Sequence, residues 1–210
     1  MKIYEDLKQG TPEWLEVKKL KFTASNAATI MAMGKGVKTL IKQMLAEYYS
    51  SQHYEEYTGV YKNDQMKRGN EFEDKARTIY ELETGNTVKQ VGFVEKDEYE
   101  GVSPDGLVGD DGLIEIKNHS DIVFTELALT RKIDSKYMAQ MQMQMYVTGR
   151  KWCDYFGFNP NFDPCYVMIR VKPDPEAFEK LAEALPYAKQ LLKAEKDKMD
   201  KIFNVLQEKD

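Results

Sequence analysis

Asp105, Glu115 and Lys117 are the residues of this chain whose types and spacing suit chemistry. They lie in Ser103-Pro104-Asp105-Gly106-Leu107 and Leu113-Ile114-Glu115-Ile116-Lys117, which read as two short strands joined by a tight turn at Gly109-Asp110-Asp111-Gly112. The first strand delivers Asp105, the second Glu115 and Lys117. Side chains alternate faces along a strand, so Glu115 and Lys117 share one face and Ile114 and Ile116 the other. Two carboxylates and the backbone carbonyl of Ile116 offer the hard oxygens that Mg2+ takes, its shell being completed by waters and a substrate phosphate. Phosphodiester hydrolysis needs an activated water, stabilisation of extra negative charge and a protonated leaving oxygen. One or two metal ions with Lys117 beside them can supply these, the lysine either positioning the water or neutralising charge. The spacing alone is common, and a structural hairpin with a surface Glu/Lys pair would share it. An EF-hand fails, because counting from Asp105 puts Leu107 and Gly109 where oxygen ligands are needed.

Several elements must position these groups. Thr11 is set to cap a helix with Pro12 in its first turn and Trp14, Val17 and Leu20 at helical spacing. Thr23 or Ser25 is set to cap the run Ala27–Met31, which stops at Gly34; beside Lys18, Lys19 and Lys21 that helix start is either a cap and nothing more, the commoner case, or a phosphate pocket. A helix is expected over about Lys38–Tyr49, then an irregular loop over Ser50–Asn63. In the next helix, from Arg68 to a close at Gly85, Glu73 aligns with Ala76, Arg77 and Tyr80, so it borders the core and is placed to pair with Arg77. Thr87–Glu95 reads as one strand, completing an antiparallel meander with the hairpin. His119–Ala128 reads as a linker with a helical turn. Asp134-Ser135 caps a helix to about Val147, whose Met138, Met141, Met143 and Met145 suit core packing. Tyr137, Gln140 and Gln144 form its polar stripe, with Gln142 off it. Trp152–Phe158 and Tyr166–Val171 are two further strands. The tail from Pro175 is helical and is expected to break near Pro186. The order implies an α/β fold with a central mixed sheet flanked by helices, and a single domain over 1–210.

Composition bounds the reading. The 210 residues carry a net charge of −5, which argues against a protein that coats nucleic acid but not against one that grips it locally. Residues 1–42 hold eight lysines against four acids, a basic lobe or simply a solvated face. Two cysteines, Cys153 and Cys165, are expected to be reduced; with two histidines they cannot build a separate Cys/His zinc or iron–sulfur site. No membrane span and no secretory leader are expected, and hence a cytoplasmic protein.

Four stretches together resemble the phage lambda exonuclease family, or YqaJ-type viral recombinases, of the PD-(D/E)XK nuclease superfamily. They are Trp14 to Ser25 with Thr23-Ala24-Ser25, Gly69 to Gly85 with Glu73 and Ala76-Arg77-Thr78, Ser103 to Lys117, and Tyr137-Met138-Ala139-Gln140-x-Gln142. The resemblance covers about residues 9–170 and leaves 171–210 as a helical tail. It implies a restriction-endonuclease-like fold and a processive Mg2+-dependent 5′–3′ exonuclease, which digests one strand of linear double-stranded DNA and leaves a 3′ overhang. It implies Asp105 and Glu115 as metal ligands, assisted by Glu73 and the Ile116 carbonyl, with two ions expected and Mn2+ able to substitute. Lys117 would be the catalytic lysine and Gln140 a group at the site's edge, with Tyr137 near it. Trp14, Lys18, Lys19, Ser25, Ser103 and Tyr137 would bind the 5′-phosphate or the DNA behind it. Lys18 stands where the pattern has arginine and loses its bidentate fork; Glu95 stands where an aspartate would be expected. A ring-shaped homotrimer, a single-strand annealing protein and a phage or prophage setting inside a bacterial host are further implications. A restriction-like or repair endonuclease is the alternative enzyme. A non-catalytic DNA-end-binding module is the alternative binder, against which Asp105, Glu115 and Lys117 speak.

Overall fold

The computed structural model describes residues 1–50 and 64–207, so the loop expected over Ser50–Asn63 falls, beyond Ser50, outside the described residues. The elements are β1 (Lys2–Tyr4), α1 (Pro12–Lys18), a 3-10 turn (Ala24–Asn26), α2 (Ala27–Met31), α3 (Lys35–Tyr49), α4 (Asp64–Thr84), β2 (Val88–Lys89), β3 (Phe93–Asp97), β4 (Glu100–Val102), β5 (Gly106–Val108), β6 (Gly112–Asn118), α5 (Asp121–Thr130), α6 (Ser135–Thr148), β7 (Trp152–Phe158), β8 (Tyr166–Val171) and α7 (Pro175–Gln207). A mixed sheet runs β2-β5-β6-β7-β8 and is flanked by helices, as expected. Among the described residues only β6 and β7 pair in parallel in it, with Glu115 opposite Tyr155 and Lys117 opposite Gly157. A parallel pair needs a crossover long enough to return the chain to the same end of the sheet. Here α5 and α6 are that crossover, and this is what brings α6 into the sheet's Glu115 side.

Alternation along β6 and β7 divides the core. Leu113, Cys153 and Tyr155 join the larger cluster with Ala139, Met141, Met143 and Met145 of α6 and with Leu181, Leu185 and Leu192 of α7. Ile114, Ile116, Phe156 and Phe158 face the other way, onto Ala76 and Tyr80 of α4. The helix that carries Glu73 and the helix that carries Gln140 therefore lie on opposite faces of β6. Within the second cluster, fully buried Asp154 accepts from the Tyr80 hydroxyl at 2.8 Å and from Arg170 through two bonds of 2.8 Å.

Four expectations are corrected. Thr87–Glu95 is not one strand: β2 belongs to the mixed sheet and β3 to a separate sheet, β1-β3-β4. The chain changes sheets at Gly92, where a Cβ would collide with the backbone of Leu7 and where the N–H donates to Tyr4 O at 2.9 Å. His119–Ala128 is not a linker, because α5 is a full helix anchored by buried Phe124 and Leu127; Ile122, Val123 and Leu129 on its other sides are exposed and blur its stripe. Helix α7 is continuous through Pro186. An interior proline costs about 3 kcal/mol, and buried Leu181, Ala184, Leu185, Ala188 and Leu192 on both sides of it hold the helix to the core. Finally, neither Thr23 nor Ser25 caps α2: its N-cap is Asn26, which makes no side-chain capping bond, and α2 is only five residues long. The two cysteines are free, as expected.

Replacing Asp154 with leucine would leave the Tyr80 hydroxyl buried without an acceptor. The expected cost is about 2 kcal/mol, read as a lower denaturant midpoint. Arg170→Met should cost more, about 3 kcal/mol, because it leaves the fully buried Asp154 carboxylate without its ion pair.

Candidate functional site

The hairpin is built to hold Asp105 still. Asp105 sits in the bend just before β5, and Gly106 follows because a Cβ there would collide with the Val88 side chain on the paired strand. Asp105 Oδ2 accepts from the Ile116 N–H at 2.7 Å, which ties it to β6 between Glu115 and Lys117. Arg150 grips the turn of the hairpin, its Nη1 donating to Gly109 O at 2.8 Å and Gly112 O at 2.6 Å.

Glu115 is fully buried, and among the described residues its hydrogen-bond and ion-pair partners are all donors. Oε1 accepts from Gln140 Nε2 at 2.6 Å and is ion-paired with the Lys117 ammonium. Oε2 accepts from Gln144 Nε2 at 2.7 Å. The lysine also lies 5.3 Å from the centroid of the Tyr137 ring. Gln140 and Gln144 are one helical turn apart on α6, so both reach the same carboxylate. Gln144 was legible only as a member of that polar stripe; nothing in its own type marked it as a partner of Glu115. His119 Nε2 and the Tyr155 hydroxyl, 2.8 Å apart, lie beyond the lysine and were not anticipated. Burial, then Lys117 and Lys136, holds His119 below its ordinary pKa.

Glu73 reaches in from α4. It pairs with Arg77 Nη2 at 2.7 Å, as its spacing implied, while Asp74 takes Nη1 at 2.6 Å. Burial and then the charge of Asp105 push Glu73 up to about 7, against the pull of Arg77. The same two causes push Glu115 up to about 7, against the pull of Lys117. Burial pulls the Lys117 ammonium down, but Glu115 and Asp105 outweigh it and leave it above its ordinary value. Asp105 is thus the charge that both glutamates feel.

A divalent ion bound among them would relieve that mutual repulsion. Among the described residues no three His, Cys, Asp or Glu side chains converge closely enough to hold an ion by themselves. Asp105, Glu115 and the Ile116 carbonyl nevertheless fit a hard cation that completes its shell with water and phosphate oxygens.

The residues expected at a 5′-phosphate are brought together in part. The Lys18 ammonium lies 3.6 Å from the centroid of the Trp14 ring, and burial lowers its pKa. Trp14 Nε1 donates to Gly92 O and Ser103 Oγ, both at 3.0 Å, and Ser103 Oγ donates to Gly92 O at 2.9 Å. Exposed Ser25 touches Thr23 Oγ1 at 3.1 Å. A parallel bridge from Phe22 to Glu100 runs its segment alongside the one that leads to Ser103. Lys19 does not join them; it is ion-paired with Glu16. Glu95 accepts from the Tyr4 hydroxyl at 2.6 Å in the smaller sheet, away from the acids of the hairpin.

Residues 13–151 match the model of the YqaJ-like viral recombinase domain. No curated protein matches the chain in sequence. Among solved structures it is similar to an alkaline exonuclease, LHK-Exo, from Laribacter hongkongensis, with 32% identity over 91% of this chain and 100% of that one and a TM-score of 0.76. The same enzyme in complex with dAMP gives 32% identity, the same coverage and a TM-score of 0.75. A phage related exonuclease from Haemophilus somnus 129PT shares the fold, at 18% identity, 88% and 99% coverage and a TM-score of 0.64.

The raised carboxyls carry a pH signature. Between about pH 4.5, the ordinary glutamate value, and about pH 7, the folded chain retains protons on Glu73 and Glu115 that the unfolded chain has lost. Stability therefore falls as pH rises through that window. In chelator, the denaturant midpoint of the wild type should drop from pH 4.5 to 7, and the drop should be smaller in Glu115→Gln; parallel curves for the two proteins would refute this origin.

Proposed function

The chain belongs to the YqaJ-like viral recombinase family, and from that premise we propose that it is a metal-dependent deoxyribonuclease that digests one strand of linear double-stranded DNA from the 5′ end and leaves a 3′ overhang. The observation that carries the reading is the meeting of Asp105, Glu115 and Lys117 on one hairpin, with Glu115 fixed by two glutamines. Identity of 32% to an alkaline exonuclease over nearly the whole chain supports exonuclease over endonuclease action. The dAMP complex of that relative supports a mononucleotide product.

Asp105, Glu115 and the Ile116 carbonyl would hold Mg2+, with Glu73 beside them and two ions as the preferred count; Mn2+ would substitute. Such an ion, when bound, polarises the phosphate and readies water for attack. The chain's own groups do the rest. The Lys117 ammonium, held charged by Glu115, neutralises the charge that builds on the phosphate. Gln140 and Gln144 each donate a hydrogen bond to the Glu115 carboxylate. Lys18, stacked on Trp14, offers a fixed positive charge for a terminal 5′-phosphate, with Ser103 and Ser25 on the neighbouring segments.

The remaining parts of the reading are a ring-shaped homotrimer, processive digestion, a single-strand annealing protein as partner, and action inside a bacterial host for a phage or prophage. A ring suits a chain of net charge −5, because topology then keeps the DNA where affinity would not.

A time course on end-labelled linear duplex with Mg2+ tests polarity, metal need and processivity together. Labelled 5′ ends should be released first and chelator should stop the reaction, while closed circular plasmid should survive; nicking of the plasmid would favour an endonuclease. Lys117→Ala should lower the rate roughly 100- to 1,000-fold with DNA binding retained, and normal turnover in that variant would sink the assignment. Ends bearing a 5′-phosphate should be digested faster than 5′-hydroxyl ends, and Lys18→Ala should narrow the difference. Equal rates on the two ends would dismiss the pocket at Lys18.

A further inference from the structure

We infer that Gln144 is a positioning residue for Glu115: its buried amide holds the second oxygen of the carboxylate and so fixes which edge Glu115 presents to a divalent cation. The inference rests on the reading of Glu115 as a metal ligand. Gln144 is fully buried, and its Nε2 lies 2.7 Å from Glu115 Oε2. The amide orientation follows from chemistry, since the reverse would set a carbonyl oxygen against a carboxylate.

Two observations separate Gln144 from an ordinary core residue. Its own Oε1 is buried and has no partner among the described residues. An unpaired buried acceptor destabilises a fold, so packing alone does not account for an amide here. Met141, Met143 and Met145 on the same helix fill core volume with no such penalty. Gln142, two residues away, gives the contrast. Its Nε2 donates to Lys172 O at 2.9 Å and its Oε1 accepts from Asp174 N at 2.9 Å, so both ends are used to fasten the backbone that leads into α7. Gln142 is a structural amide. Gln144 has one satisfied end, and that end is on Glu115.

Counting lone pairs says what the contact does. A carboxylate has about four acceptor sites. Oε1 takes Gln140 and Lys117, and Oε2 takes Gln144. One acceptor site is left, on Oε2, and it is the one Glu115 can give to a cation without losing a partner. Without Gln144 the carboxylate would be held at Oε1 alone and free to twist about that end.

Gln144→Met keeps the volume and removes the donor. Gln144→Asn keeps the amide but withdraws it by one methylene. Gln142→Met is the control. Each is measured for kcat and KM on linear duplex with Mg2+, and for Mn2+ affinity without DNA by titration calorimetry, with circular dichroism to verify folding. Both Gln144 variants should lose about 10- to 100-fold in kcat and in Mn2+ affinity at an unchanged KM, whereas Gln142→Met should lower Tm and leave both readouts alone. If one Gln144 variant fails to fold, the other decides. Wild-type kcat and Mn2+ affinity in a folded Gln144 variant would overturn the inference, as would equal losses in the Gln142 control. A wild-type protein that neither binds Mn2+ nor digests linear duplex would overturn the reading of Glu115 as ligand and this inference with it; a wild type that does both isolates the role of Gln144.

Discussion

Burying the Glu115 carboxylate is the constraint on which the rest of the structure depends. A lone carboxylate in a sheet interior is among the costliest groups a fold can hold, and it is tolerated only when charge and hydrogen bonds surround it. Lys117 supplies the charge from the same face of β6, two residues on. Gln140 and Gln144 supply the hydrogen bonds from α6. Neither would be there without the parallel pairing of β6 with β7, since that pairing obliges the chain to cross back over the sheet. The topology and the site thus follow from one arrangement.

The arrangement is compensated only in part. Asp105 is locked to the Ile116 N–H and adds negative charge next to two other acids, one of them brought by a helix on the opposite face. Arg77 restrains Glu73 and Lys117 restrains Glu115, yet both carboxyls remain above their ordinary range. A fold that concentrates like charge in this way gives up stability locally, and the concentration has a chemical use where a substrate phosphate and a cation arrive together.

Much of this was legible in the sequence where a pattern was dense. Alternation in Leu113–Lys117 foretold which residues share a face, β7 and β8 fell where their apolar runs lie, and the spacing of Glu73 and Arg77 foretold their ion pair. The misses have physical causes. The break at Gly92 is set by the backbone of Leu7, a contact distant in sequence. The pattern of α5 is blurred because Ile122, Val123 and Leu129 stay outside the core. Pro186 carries a local signal that tertiary burial overrides. Gln144 was visible as a polar residue in a stripe, but its partner lies 29 positions away, across the crossover.

The indole of Trp14 has a wider consequence. The chain passes between the two sheets once near Gly92 and again near Ser103, and one N–H holds both crossings. Trp14 belongs to α1, a surface helix with no buried residue of its own. Asp105 follows Ser103 by two positions. The indole therefore acts as a rivet at the seam, and the registration of the hairpin depends on a helix that contributes nothing to the core. Rigidity at the centre of this molecule is borrowed from its rim.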